Sequence, residues 1–241
     1  MAAIRTARER AREELTREIK AEARRQLGVE GAQKLSLRAV ARELGMVSSA
    51  LYRYYPSRDD LLTTLIIDAY DALGEQVEQA VAAVPTADTR ARWVALCHAA
   101  RAWALASPHE YALVYGTPVP GYSAPPETVV PAARVPMVLI ALLDDTVGRF
   151  ELEAAPRPLR GPVAQQMADL AAQFAPSLNP VLAARGVAAW AQLFGLISFE
   201  LFGQFVGSAD PADGLFDYSV EDLADHLGLG PAEDGEGRSQ G

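Results

Sequence analysis

The chain has 241 residues, 50% hydrophobic and 22% charged, ordinary proportions for a globular protein with one large core or two smaller ones. Its single cysteine, Cys97, excludes an internal disulfide and a multi-cysteine zinc site and points to a reducing cytoplasm. The net charge of −9 is unevenly spread. Residues 1–60 carry 13 Lys/Arg against 9 Asp/Glu (+4), and the other 181 carry 9 against 22 (−13), as expected of a DNA-binding head on a body that stays off phosphates, although a charged, solvated first helix gives the same numbers.

The first helix is expected over 7–27, where Ala11, Leu15, Ile19, Ala23 and Leu27 recur every four residues and Gly28 supplies a stop. Ser36 is an N-cap for a second helix, with Leu37, Val40, Ala41 and Leu44 on one face and a stop at Gly45. A short third helix runs from about Val47 to Tyr54 and breaks at Pro56. Ser57 caps a fourth, with Asp60 as its capping-box partner, and the stripe Leu62, Ile66, Ala69, Leu73, Val77 carries it to about Val84.

After the connection Pro85–Asp88, a helix over 89–106 places Trp93, Leu96, Ala100 and Trp103 on one side. Ser107-Pro108-His109-Glu110 starts a brief helix through Tyr115, by cap, proline at N1 and glutamate at N3. Residues 116–127 are a Pro/Gly loop. Further helices are expected over about 129–152, starting late or kinked because of Pro131 and Pro136, and over 163–174, 180–206 and 219–227, the last opened by Ser219. The polar tail after Gly230 is expected to be disordered. Without a strand signal the fold class is all-α.

The Arg-rich N-terminus also holds glutamates and has no apolar core segment, so it does not read as a signal peptide. No run approaches the roughly 18 apolar residues of a membrane span; 188–206 comes nearest, interrupted by Gln192, Glu200 and Gln204. No membrane partner is expected, and no cofactor or metal either: His98, His109, His226 and Cys97 show no ligand spacing, and there is no phosphate loop or nucleophilic triad signature.

The informative stretch is Ser36 to Leu62, SLRAVARELGMVSSALYRYYPSRDDLL. Two closely crossing helices need a small residue at the crossing, here Ala41, and a turn residue that tolerates positive φ, here Gly45. Val40, Leu44, Val47 and Leu51 are the apolar clamps. Ser48, Ser49, Tyr52, Arg53 and Tyr54 remain for the outer face of the third helix, the hydroxyl and guanidinium set of a helix that lies in a major groove.

Leu51-Tyr52-Arg53-Tyr54-Tyr55-Pro56-Ser57-Arg58, followed by Asp59-Asp60-Leu61-Leu62, resembles the signature of the TetR family of bacterial regulators: a Leu-Tyr-x-Tyr/His-Phe block, a Pro/Ser/Lys turn and an acidic, leucine-rich fourth helix. Tyr55 stands where phenylalanine is usual and Arg58 where lysine is usual. The resemblance implies a three-helix helix-turn-helix domain (1–56, with a linking helix 57–84) and an all-helical ligand-binding and dimerisation domain (85–230). It implies a homodimer on double-stranded DNA with a palindromic operator, a repressor released by a small-molecule effector, and no enzyme activity. Carried over by position, Ser48, Ser49 and Tyr52 face base edges, Arg38 reaches a base or a phosphate, and Ser36, Arg53, Tyr54 and Arg58 hold phosphates. Core packing of Tyr52 or Tyr54 and simple capping by Ser48 or Ser49 remain the alternatives. Arg5, Arg8, Arg10 and Arg12 fit either a minor-groove arm or, better given the interleaved Glu9, Glu13 and Glu14, a solvated helix face.

The second half resembles an actinobacterial-type subgroup of that family through Arg101-Ala102-Trp103-Ala104, Ser107 to Tyr111, Gly116 to Tyr122, and Trp190-Ala191-Gln192-Leu193-Phe194-Gly195, which matches Trp-x-x-x-His-Gly except at Phe194. Candidate ligand contacts are His98, Arg101, Trp103, Tyr111, Tyr115, Trp190 and Phe194; each also reads as core or as an ordinary hydrogen-bonded polar residue. Helices 180–206 and 219–227 are the candidate dimer seam. Two further readings stay open: an all-α small-molecule-binding enzyme or carrier, and a ligand-blind architectural DNA protein.

Overall fold

The computed structural model describes residues 6–147 and 157–230. Among these the chain is helical and without strands, in the order α1 (Ala7–Glu30), α2 (Leu37–Glu43), α3 (Ser48–Leu51), α4 (Arg58–Ala82), α5 (Thr89–Ala106), α6 (Pro108–Tyr115), α7 (Val129–Asp144), α8 (Pro162–Phe174), α9 (Pro180–Leu201) and α10 (Asp213–Leu227). It forms two compact units. One comprises the described residues up to Asp71 with Ser107–Ala132, the other Ala72–Ala106 with the described residues from Ala133 onward. The division thus differs from the expected boundary at Pro85, because α6 and the loop after it pack with the N-terminal helices.

In the first unit, Ile19, Ala23 and Leu27 of α1, Val40 and Ala41 of α2, Leu51, Tyr55, and Leu61, Leu62 and Leu65 of α4 form one core. Leu113, Val114, Val119 and Tyr122 pack against it from α6 and the following loop. Polar ties supplement this packing. Arg24 of α1 donates to Glu110 of α6 and to Asp68 of α4, 2.7 Å each, and Thr63 and Tyr122 share a hydrogen bond of 2.9 Å.

Several element ends differ from the sequence expectation. α1 continues through Gly28 to Glu30, and its start is fixed by a capping box between Thr6 and Glu9. Gly28 serves close approach instead: a Cβ there would lie 3.0 Å from the His109 ring of α6. Ser107 makes no side-chain cap bond to α6; Glu110 pairs with Arg24 instead. α9 ends at Leu201, not 206, because Gly203 (φ +74°) reverses the chain and Gln204 N donates to Phe199 O at 2.8 Å. α10 starts at Asp213, six residues before the expected Ser219, which is buried in mid-helix. α7 is described to Asp144 with Pro136 inside it; the remainder of the helix expected to 152, Arg5 and the tail after Gly230 lie outside the described residues.

In the second unit α9 packs against α5, α8 and α10, burying Leu182, Ala189, Leu193 and Ile197. By length and hydropathy alone Pro126–Asp144 and Pro180–Leu201 are apolar enough to cross a bilayer, which corrects the expectation that no segment approaches that test; interruptions such as Glu200 do not lower the average enough.

Leu51 is fully buried and Tyr52, next to it, is 42% exposed. Leu51→Ala is expected to cost about 2–5 kcal/mol in urea unfolding, and Tyr52→Ala less than about 0.5 kcal/mol. Equal losses would contradict this burial pattern.

Candidate functional site

The helix-turn-helix is built from two local devices. Ser36 Oγ accepts from Ala39 N at 3.4 Å to open α2. Gly45, at φ +63°, closes it, with Met46 N donating to Ala41 O at 2.8 Å, so that orphan carbonyls at the helix end are satisfied. Past the turn, α3 is a single turn of helix with Val47 at its N-cap and no side-chain cap bond. Ser48 and Ser49 are exposed, so their hydroxyls are not consumed in capping. The chain then tightens, Tyr54 N and Tyr55 N both donating to Leu51 O. α4 opens with a reciprocal box: Ser57 N to Asp60 Oδ2 at 2.8 Å and Asp60 N to Ser57 Oγ at 3.1 Å.

Leu51 and Tyr55, the latter 7% exposed, face the core. The geometry therefore brings Ser48, Ser49, Tyr52 and Arg53 together at the surface, with Arg38 also exposed on α2. Tyr54 differs: it is half-buried against the core, and the Arg12 guanidinium lies 5.6 Å above its ring. Arg58 is also engaged, donating to Ala32 O at 2.8 Å and Gln33 O at 3.3 Å, which ties the start of α4 to the turn after α1. Arg8, Arg10 and Arg12 lie on the exposed face of α1.

The candidate ligand residues do not converge. His98 is exposed, its Nε2 3.5 Å from Asp217 Oδ1. Arg101 is buried and neutralised: it donates to both oxygens of Glu200 at 2.6 and 2.7 Å and to Asp213 at 3.0 Å, and its guanidinium lies 4.8 Å from the Phe216 ring centre. These bonds, Glu200 first, raise its pKa further above its ordinary value. Trp103 is buried in α5. Tyr111 and Tyr115 belong to the first unit, with ring centres 5.2 Å apart. Burial pushes the Tyr115 phenol well above its usual range. Phe194 is buried, edge-on to Trp190 at 6.1 Å.

Of that set, only Trp190 lines a cavity of about 180 Å³ in the second unit, whose wall also includes Pro136, Leu139, Ile140 and Leu143 of α7 and Gly186 of α9. These aliphatic positions were missed in the sequence because they read as ordinary core, and no sequence signal sets them apart.

Residues 19–65, which span this helix-turn-helix, match the model described as bacterial regulatory proteins, tetR family. Residues 93–223 match the tetracyclin repressor-like C-terminal domain. The chain belongs to the TetR family. Its relatives include the HTH-type transcriptional regulators Rv1816 of Mycobacterium tuberculosis and Mb1846 of Mycobacterium bovis, each 37% identical over 81% of this chain and 84% of the relative. Among solved structures, the putative regulatory protein SCO4313 is 36% identical with a TM-score of 0.74, covering 90% of this chain and 98% of that one. The TetR-family regulator PfmR from Thermus thermophilus shares the fold, at 18% identity and a TM-score of 0.54 over 84% of this chain and 97% of that one. The chain is a DNA-binding transcriptional regulator.

Arg53→Ala is expected to leave the melting temperature unchanged and to reduce the salt dependence of duplex binding by about one phosphate contact. Arg58→Ala is expected to lower the melting temperature, because two carbonyls lose their donor. The reverse ranking in thermal melts would contradict these placements.

Proposed function

We propose that this regulator is a cytoplasmic homodimer that represses transcription from a palindromic operator and is released by a small-molecule ligand. The helix-turn-helix within residues 1–56 reads the DNA, α4 links it to the rest of the chain, and the helices of the second unit bind ligand and dimerise. The observation that carries the reading is the exposed set Ser48, Ser49, Tyr52 and Arg53 on a helix fixed from behind by Leu51 and Tyr55. In this reading Ser48, Ser49 and Tyr52 meet base edges while Ser36, Arg38, Arg53, Tyr54 and Arg58 set position on the phosphates. Arg58 and Tyr54 do so mainly by holding the frame, given their existing partners.

Dimerisation through α9 and α10 is supported by an apolar face left open on both. On α9, Ala188, Ala191 and Phe199 are exposed and followed by exposed Phe202, while a Cβ at Gly195 would meet nothing within 4 Å. On α10, Leu215 and Tyr218 are exposed, Tyr218 by 69%. A second copy placed there buries this face, and reading both halves of a palindromic operator requires two recognition helices roughly 34–36 Å apart.

Release by ligand is supported by the position of α7 in the second unit. Its Pro136, Leu139, Ile140 and Leu143 line the cavity. One turn earlier Arg134 grips Glu78 of α4 with two hydrogen bonds of 2.6 and 2.8 Å, crossing α4 at Gly74, where a Cβ would lie 2.6 Å from the arginine Nε. A ligand that binds one placement of α7 better than another thereby biases α4.

The test is a binding isotherm on the DNA upstream of the protein's own gene. Tyr52→Ala is expected to weaken specific binding by about 1–3 kcal/mol and relax preference at one operator position; an isotherm like wild type contradicts its role. Phe202→Glu is expected to give a monomer by light scattering with operator binding lost, and a dimer of unchanged stability would remove the α9 seam.

A further inference from the structure

Val47, which the sequence pattern places among the apolar clamps, does not clamp. At helical spacing from Leu51 it would fall on the buried side, but its backbone is extended (φ −71°, ψ 137°) and its side chain is 70% exposed. Nor does it cap: it occupies the N-cap of α3, and no side-chain bond closes that end. Valine is among the poorest residues for such a position. A local rule broken with no structural return marks a place where function sets the residue. Single exposed hydrophobics are common and need no explanation, and Val29, 72% exposed near the end of α1, is one. Val47 is set apart by its neighbours, since it adjoins Ser48 and Ser49 on the surface that also carries Tyr52.

The chemistry of that surface gives the valine a use. From Val47 to Tyr52 the chain carries no charge, and Ser48, Ser49 and Ala50 are short, so these residues meet a base edge only by close approach. A serine hydroxyl both donates and accepts, and discriminates little between bases. On close approach Val47 loses its water. Against the C5 methyl group of thymine that loss is favourable, whereas the amino and acceptor edges of the other bases would lose water to hydrocarbon with no partner in return.

We propose that Val47 reads one thymine in each half-site of the operator through its C5 methyl group. The proposal deepens the base-reading role of α3 and rests on it.

The test uses the full-length protein and the duplex upstream of its gene, with thymines replaced one at a time by deoxyuridine, which removes the methyl group and keeps the base pair. For the wild type, replacement at one position in each half-site is expected to weaken binding about fourfold, the transfer free energy of one methyl group. Val47→Ser is expected to lose that sensitivity at the same position while melting at or above the wild-type temperature, because serine can cap α3. Val47→Ile keeps an apolar branched chain and is expected to retain the sensitivity. A wild type indifferent to every replacement, an undiminished effect in Val47→Ser, or a Val47→Ser protein that melts well below the wild type overturns the proposal. Tyr52→Ala separates it from the reading beneath it. Relaxed base preference in Tyr52→Ala alongside a flat deoxyuridine series contradicts the Val47 contact alone. A wild type that binds the duplex no better than a scrambled one of equal length overturns both.

Discussion

A one-turn helix cannot hold its own orientation, and the DNA-facing end of this molecule depends on how that problem is met. α3 has four residues, too few to be stable in isolation. It is fixed because Leu51 at its end and Tyr55 just beyond are sunk into the core formed by α1, α2 and α4. With those two side chains inward, helical spacing leaves Ser48, Ser49, Tyr52 and Arg53 outward. The Gly45 turn and the Ser57–Asp60 box fix the chain on either side. Base-edge contact by such short side chains requires that placement to be accurate, since neither serine can reach far to correct an error.

The same core explains why α6 and the loop after it belong with the N-terminal helices. Arg24 joins α1 to Glu110 of α6 and Asp68 of α4, and Tyr122 meets Thr63 on α4. The chain then enters α7, whose later turns line the cavity of the second unit and grip α4 through Arg134. α4 thus contributes residues to both compact units and receives α7 in one and the Tyr122 loop in the other. In the second unit charge is handled by pairing: Arg101 with Glu200 and Asp213, Arg90 with Glu221 and Asp225. The cavity wall is left free of it.

The parts of the fold that follow from local chemistry were legible in the sequence. Gly45, Ser36, and Ser57 with Asp60 marked their turns and caps because each satisfies backbone groups within a few residues; α5 and α6 have the expected ends. Most of the errors share one physical origin, in that a local signal had a tertiary use; the early end of α9 is local, at Gly203. Gly28 looked like a stop, yet it makes room for His109. Glu110 looked like a capping residue, yet Arg24 takes it. Ser219 looked like an N-cap, whereas α10 opens at Asp213 with no side-chain cap to announce it. In the candidate site, the outward set on α3 was readable from spacing against Leu51. The partners of Arg58 and Tyr54 were not, since they lie 25 or more residues away in sequence. The cavity was hidden for a similar reason: its aliphatic wall is indistinguishable in sequence from packed core.

The most direct test replaces Tyr52 by a photoreactive phenylalanine and irradiates the protein on the duplex upstream of its gene, with the same group at Leu105, exposed on α5, as control. Crosslinks are expected from position 52 to bases in two places one helical repeat apart, and none from position 105. Crosslinking from 105 but not from 52, or none from 52 on a duplex that the protein demonstrably binds, would contradict the placement of α3 against the bases.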